Sequence, residues 1–517
     1  MTPDFPRLND YVDWYAQTTP RMLAIAGRER LTYLELQKQV RACADSLAAC
    51  GVGTGDRVVM LSTPGGAFLV SFLASASLGA IWVGLNPRHT AAELDAAVTT
   101  LSPKVIFARQ AIESRNYESW VATLPQSITS FLLADGSAAA LAGFAERNHD
   151  NTKVPGTTPA HASPDAPALI VFTSGSSGRP KGALISQRAL IGASRVQLAQ
   201  WPVSPLRVLN NLPINHIGCV GDLCCYALIG GGTNVFCERF DPAESIALCE
   251  RERVTMLGQV PTQFILTLNS PHFRAEALGS LQLIIWGGAQ ASAELVAALR
   301  DLGKPIATSY GQTESVGSVT FTPPDATLEE LAKTVGCPVT PYDVRIVDEN
   351  GVVAATSQPG EVQIRSPFCM NGYWRDPEAT ERAFTPDGWL RTGDVGALAE
   401  NGMLRLIGRT TETFKSGGYN IYPVEIERAI VSHAAVADAA VVALEDPLFG
   451  MIGAALVQQR PGQQLTAAAL RAHLADRLAN YKIPKRILIA AELPKLPVGK
   501  IDKAAVREIL AHAGEGQ

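Results

Sequence analysis

Residues 173–182 read TSGSSGRPKG and follow a short apolar run, 168–172, whose length and branched composition predict a buried strand opening into a loop. Thr173, Ser174, Ser176 and Ser177 carry hydroxyls. Gly175 and Gly178 lack a Cβ, so the backbone can approach a ligand closely and successive N–H groups can converge on it, and Lys181 adds a point charge. That composition suits a polyphosphate. It is not a Walker A loop, because Arg179 and Pro180 separate Gly178 from Lys181. Standing alone, the stretch also reads as a flexible Gly/Ser linker.

Working outward, the strand-and-loop rhythm recurs. From residue 31 a helical pattern ends before Gly51 and Gly53, and a strand follows at 58–61. Residues 60–87 carry no charge and are long enough to cross the ~30 Å hydrocarbon core of a bilayer. Pro64, Gly65, Gly66 and several serines instead favour a buried helix at 67–78 and a strand at 79–85. A helix from 91 leads to another apolar strand, KVIFA, and further strands are expected at 255–260 and before SYGQTES. This is the pattern of an α/β domain with buried parallel strands. The polar, Pro/Thr-rich stretch 138–166 reads as a surface connection. Short strands with turn signals over 335–406 predict a small β-rich subdomain. VADAAVVALE, an amphipathic helix over 465–481 and RILIAAEL predict a small α+β domain at the end.

Composition sets limits on function. With 517 residues and 47% hydrophobic content the chain fills more than one core. A net charge of −5 without a basic tract argues against nucleic acid or an acidic membrane surface as partner. The nine cysteines form no CxxC pair, so neither a zinc site nor a disulfide framework is indicated, and a reducing cytoplasmic location is expected. The N-terminal MTPDFPRLNDY lacks the basic and apolar regions of a signal peptide.

Four further segments follow the first loop in fixed order: SYGQTES (309–315), GWLRTGD (388–394), GRTTETFKSGGYNIYPVEIE (408–427) and PKLPVGKIDK (494–503). Together the five resemble the acyl-adenylate-forming, or AMP-binding, superfamily, of the acyl-CoA synthetase type, and the match runs from LTYLEL to LPVGKIDK. Any one segment is a weak signal; their order makes it specific.

The resemblance implies a large N-terminal domain, residues 1–411, of α/β subdomains plus a small β-rich one, and a small mobile α+β domain, 412–517. It implies a carboxylic acid:CoA ligase that uses ATP, Mg²⁺ and CoA, forming an acyl-adenylate and then a thioester. The alternative within the superfamily is an enzyme that loads the acyl group onto a carrier protein. A second copy of the chain is kept as a candidate partner, and no stable membrane insertion is expected.

Residue by residue, the resemblance gives the 173–181 loop the β- and γ-phosphates. Glu314 becomes the Mg²⁺-associated carboxylate, a hard oxygen ligand. Thr313 reaches the α-phosphate, Tyr310 and Gly311 lie at the adenine with Gly288 and Ala289, and Asp394 and Arg409 reach the ribose. Lys500 stabilises the approach of carboxylate and α-phosphate as a point charge. His216 borders the acid pocket and the thiol route, and Gly417 and Gly418 line the pantetheine tunnel. The hinge falls on Glu412, where the family usually shows Asp or Lys. Ile217 stands where amino-acid-activating relatives carry an aspartate, which disfavours an amino-acid substrate. Trp286, ahead of the adenine segment, is expected on the pocket wall, favouring an aromatic or short-to-medium acid.

Overall fold

The computed structural model describes residues 3–144, 162–173, 180–323, 325–416, 419–495 and 501–513. The chain divides into two compact units. One comprises Met1–Val344, Ile364–Arg391 and Gly402–Leu404; the other comprises Arg345–Gln363, Thr392–Asn401 and Arg405–Gln517.

Two sheets organise the first unit. In the nine-stranded sheet the central strands Ile306–Gln312, Leu283–Trp286, Met256–Gln259, Arg207–Asn210, Thr233–Phe236 and Leu23–Gly27 run parallel in that spatial order. At one side Gly317–Phe321 turns back antiparallel on Ile306–Gln312, so SYGQTES lies on a hairpin. In the seven-stranded sheet Ile81–Leu85, Arg57–Leu61, Val105–Arg109 and Thr129–Leu133 are parallel. These strands alternate between two cores as a doubly covered sheet requires: Val58 and Met60 face one cluster, Val59 and Leu61 the other.

The uncharged stretch folds as expected from its glycines and serines. Gly66–Ser77 is a helix buried along nearly its whole length, and Ile81–Leu85 is a strand with every residue buried. Within it Trp82 Nε1 donates to Ser71 Oγ at 3.0 Å. Among the described residues no helix is long and apolar enough to cross a membrane. Capping boxes at Thr32/Glu35 and Thr90/Glu93 start the helices on either side of this region.

One local feature was not legible beforehand. Pro167–Thr173 pairs antiparallel with Lys181–Ser186, with Thr173 opposite Lys181, so the Gly/Ser loop closes a hairpin. The following helix, Gln187–Gln200, starts only after Ser186 caps it, so its N-terminus does not abut the loop in sequence. Gly372–Tyr373 then adds to the far edge of Lys181–Ser186.

The second unit holds a four-stranded sheet, built mainly from its residues, and the C-terminal α+β fold. There Val436–Asp446 and Gly450–Gln459 are antiparallel and Arg486–Ala490 joins them in parallel. The helix expected over 465–481 is shorter, Ala467–Ala475, followed by a separate single turn, Asn480–Lys482. Leu470 and Leu474 bury the helix face, whereas Lys482 is drawn to both carboxylate oxygens of Glu425, at 2.6 and 2.8 Å. The expected connection 138–166 lies largely outside the described residues.

Candidate active site

The hairpin that carries Thr313 and Glu314 is shaped by its glycines. A Cβ on Gly311 would lie 1.8 Å from the Gly317 carbonyl oxygen, and one on Gly317, at φ +93°, would lie 2.3 Å from Asp222 Oδ1. Between them Val316 adopts φ 61°, ψ 46°, a left-handed conformation that costs a β-branched residue ~1–3 kcal/mol. The fully buried Ser315 holds the turn in this state. Its Oγ accepts from Gln312 N–H at 2.9 Å and lies within donating reach of the Gln312 and Gly317 carbonyls. Ser315 was not singled out in the sequence; a serine in a polar loop carries no signal of such a clamp.

The clamp presents Glu314 to the mouth of the Gly/Ser hairpin. Glu314 Oε1 accepts from Thr173 Oγ1 at 3.2 Å and from Tyr373 Oη at 2.8 Å. The ammonium of Lys181 lies 5.3 Å from the Tyr373 ring centroid, a cation–π distance. Burial, then the adjacent Glu314 charge, pushes the Tyr373 phenol well above the usual tyrosine range, so it remains a hydrogen-bond donor at neutral pH. Thr173, Lys181, Glu314 and Tyr373 are all half-buried. The structure therefore brings together three residues expected at the phosphates and adds Tyr373. NGYW offered no independent cue for that tyrosine, because only the pairing of Gly372–Tyr373 with Lys181–Ser186 carries it there.

Tyr373→Phe should remove one of the two donors to Glu314 while leaving the ring under Lys181. The expected cost is ~1 kcal/mol, up to roughly tenfold in the rate of ATP–pyrophosphate exchange, with little change in melting temperature. An unaltered exchange rate would sink the positioning role of Tyr373.

The other expected residues of this unit are placed as follows. Tyr310 is 8% exposed on strand Ile306–Gln312 and its N–H donates to Thr320 Oγ1. Gly288 takes φ +75° with only Val260 Cγ1 near its missing side chain, and Gly288 and Ala289 are exposed. His216 is exposed and its carbonyl accepts from the N–H groups of Cys219 and Val220 at the start of the helix Gly218–Cys225. Trp286 is 1% exposed and packs with Phe264 and Val296 in a core cluster, so the wall expected from it is a core side chain and carries no argument about acid length.

In the second unit Asp394 and Arg409, both expected at the ribose, come from adjacent strands and pair at 2.7 Å. The Asp394 side chain is 10% exposed and its N–H donates to Thr392 Oγ1, which in turn donates to the Val362 carbonyl. The expected hinge residue Glu412 is bound by Lys503, at 2.5 Å, and Lys503 also reaches Glu427 at 3.0 Å. Ser174, Gly175, Ser176, Ser177, Gly178, Gly417, Gly418 and Lys500 lie outside the described residues.

The family model for the AMP-binding enzyme matches residues 12–374, and that for the AMP-binding enzyme C-terminal domain matches 425–500. The chain belongs to the AMP-binding enzyme family. Feruloyl-CoA synthase of Amycolatopsis sp is 32% identical over 501 residues, covering 95% of this chain and 96% of that protein. Indoleacetate–CoA ligase of Aromatoleum aromaticum is 31% identical over 507 residues, 98% of each chain. The crystal structure of ATP-bound MatB from Rhodopseudomonas palustris aligns with a TM-score of 0.86 at 28% identity, covering 97% of this chain and 99% of that one. Within the AMP-binding family the chain is of the acyl-CoA synthetase type, an AMP-forming acid–thiol ligase.

The donor set fits the family's magnesium ion. Among the described residues no group of three or more His, Cys, Asp or Glu could cage a metal. A lone hard carboxylate, Glu314, beside the Thr173 hydroxyl suits an ion that keeps its waters and takes its remaining ligands from phosphates.

Proposed function

We propose that this ligase activates an aromatic or short-to-medium carboxylic acid with ATP and passes the acyl group to CoA. The observation that carries the reading is the seating of Glu314 between Thr173 and Tyr373 at the mouth of the Gly/Ser hairpin. A carboxylate oxygen of the acid attacks the α-phosphorus of ATP, and pyrophosphate leaves. Thr173 and Lys181, with the hydroxyls and glycines of 174–178, hold the departing phosphates; Thr313 donates to the α-phosphate. Glu314 would hold Mg²⁺, which would supply charge neutralisation on the phosphates. Asp394 and Arg409 fix the ribose, while Tyr310, Gly311, Gly288 and Ala289 bound the adenine. Lys500 completes the first step.

In the second step the CoA thiolate attacks the acyl carbonyl beside His216, the thioester forms and AMP leaves. Residues 412–517 rotate about Glu412 between the steps, so that Gly417 and Gly418 replace Lys500 at the site. Gly418→Trp is therefore expected to block thioester formation while pyrophosphate release continues; loss of both would defeat the tunnel assignment. Two relatives named for arylic acids, feruloyl- and indoleacetyl-CoA ligases, support the aromatic choice.

A panel of carboxylic acids with ATP and Mg²⁺, with and without CoA, tests the reading. Thioester formed only when CoA is present is the expected result. Adenylate that CoA cannot discharge points to a carrier-protein acceptor, and no pyrophosphate with any acid overturns the proposal.

A further inference from the structure

Tyr373 reaches Glu314 from an edge strand of only two residues, Gly372–Tyr373, which pairs with Leu184 and Ala183. The pairing is bracketed by Asn371 N–H donating to the Leu184 carbonyl at 2.8 Å and Trp374 N–H donating to the Gly182 carbonyl at 2.7 Å. So short a ladder specifies register weakly, and a slip by one residue would exchange the faces of Tyr373 and Trp374. The register therefore needs an anchor beyond the ladder itself.

Trp374 supplies one. Its ring packs against the core cluster that contains Val59, Val83 and Ile170, and its Nε1–H donates to the Thr100 carbonyl at 3.2 Å. Two guanidiniums share that ring: Arg57 Cζ lies 5.3 Å and Arg375 Cζ 4.9 Å from its centroid, both cation–π distances. Arg57 Nε also donates to the Leu101 carbonyl at 2.7 Å, and Arg375 Nη1 to the Thr100 carbonyl at 3.4 Å. Both thus serve the carbonyl end of helix Ala91–Leu101, where positive charge is favoured. The neighbouring Asp56 pairs with Lys104 at 2.9 Å rather than with Arg57. Burial, then the Arg375 charge, holds the Arg57 guanidinium below the ordinary arginine range. Arg375 itself adopts φ 52°, a left-handed conformation uncommon for a long side chain. Two like charges and a strained residue gathered on one indole persist only where the surrounding structure enforces them.

We infer that Arg57, Trp374 and Arg375 form a positioning clamp for the ATP site, fixing the register of Gly372–Tyr373 and so keeping the Tyr373 phenol on Glu314 and its ring beside Lys181. The inference rests on the placement of Mg²⁺ and the phosphates at Glu314 and Thr173 proposed above. The clamp acts only through Tyr373. Its anchor, the end of helix Ala91–Leu101, belongs to a part of the chain that the reaction does not otherwise use.

The test is the affinity of the full chain for Mg·ATP, measured by calorimetry with no acid present, alongside ATP–pyrophosphate exchange. Trp374→Leu should weaken Mg·ATP binding by about tenfold, the worth of one hydrogen bond to a charged group. Trp374→Phe, which keeps a ring for the two guanidiniums, should lose only about threefold or less. In a Tyr373→Leu background, Trp374→Leu should add less than about twofold, because the clamp then has nothing to position. Equal losses in the two backgrounds, or unchanged Mg·ATP affinity in Trp374→Leu, overturn the inference. If Trp374→Leu does not fold, Arg57→Met, which keeps the side-chain stem, decides through the same two backgrounds. Absence of exchange with every acid overturns the ligase reading alone, since the binding measurements need no acid.

Discussion

Lys500→Ala is expected to slow pyrophosphate release by roughly 10²- to 10³-fold, while thioester formation from a supplied acyl-adenylate proceeds at close to the wild-type rate. The magnitude follows from the role. Two anions, the substrate carboxylate and the α-phosphate, must meet in the adenylation transition state, and one well-placed donor there is worth ~3–4 kcal/mol. The split follows from the chemistry, since the thiol step has no such meeting of anions. The described residues on either side of this lysine are tied down. Lys495 bridges to Ile501, the Asp502 N–H donates to the Pro494 carbonyl at 2.9 Å, and Asp502 caps the helix Lys503–His512 through Ala504 and Ala505 N–H. Lys500→Arg should rescue poorly, because a planar fork does not replace a compact ammonium between two oxygens. Equal loss in both half-reactions would defeat the assignment.

Lys503→Met is expected to destabilise the C-terminal α+β fold by ~2–3 kcal/mol. Lys503 bridges Glu412 and Glu427, and Glu427 also accepts from Val441 N–H at 2.8 Å. Removing the cation strands two carboxylates, and breaking a fully buried pair costs ~3–5 kcal/mol. The lower figure applies because Glu412 is one-third exposed and solvent screens part of the charge. Methionine keeps the stem's packing, so the loss reports the charge.

The pH dependence of that deficit has a definite sign. Burial, opposed by Lys503, holds the Glu427 carboxyl above the ordinary glutamate range. A raised carboxyl contributes stability that is present below its unfolded value of ~4.3 and is lost as pH rises through the folded value. Without Lys503 that folded value rises further, so the variant's deficit should be larger at pH 7.5 than at pH 5. Lys503 itself is lowered by burial but raised more by Glu427 and Glu412, and the net shift is upward. The wild-type contribution therefore persists at neutral pH and fades only above the ordinary lysine range. Thermal unfolding midpoints at both pH values decide the matter; equal deficits would remove the electrostatic account. Because Lys503 also binds Glu412, the proposed hinge residue, adenylation should fall with stability.

Tyr373 marks what motif reading could not reach. Glu314, Thr173 and Lys181 sit in segments whose composition states their chemistry, hydroxyls, glycines and charge in a short span. Tyr373 stands in an ordinary-looking stretch, NGYW, and acquires its place from elements distant in sequence. Trp286 shows the converse: its position beside an adenine segment suggested a pocket wall, but alternation along the strand turns its side chain into the core. The π repeat of Gly218–Cys225 was likewise not readable, because periodicity alone does not separate it from an ordinary buried helix.

By itself the sequence determined the α/β class, the family and the order of the motif-bearing loops. Those properties are written in local composition: apolar runs set strands, and glycine, hydroxyl and lysine clusters set loop chemistry. Only the tertiary structure decided that the strands flanking the Gly/Ser loop pair antiparallel, and that Glu314 is aimed by the Ser315 clamp and held by Tyr373. Each of these depends on strand pairing between segments far apart in the chain, and pairing is chosen by the packing of whole sheets, which no short stretch encodes.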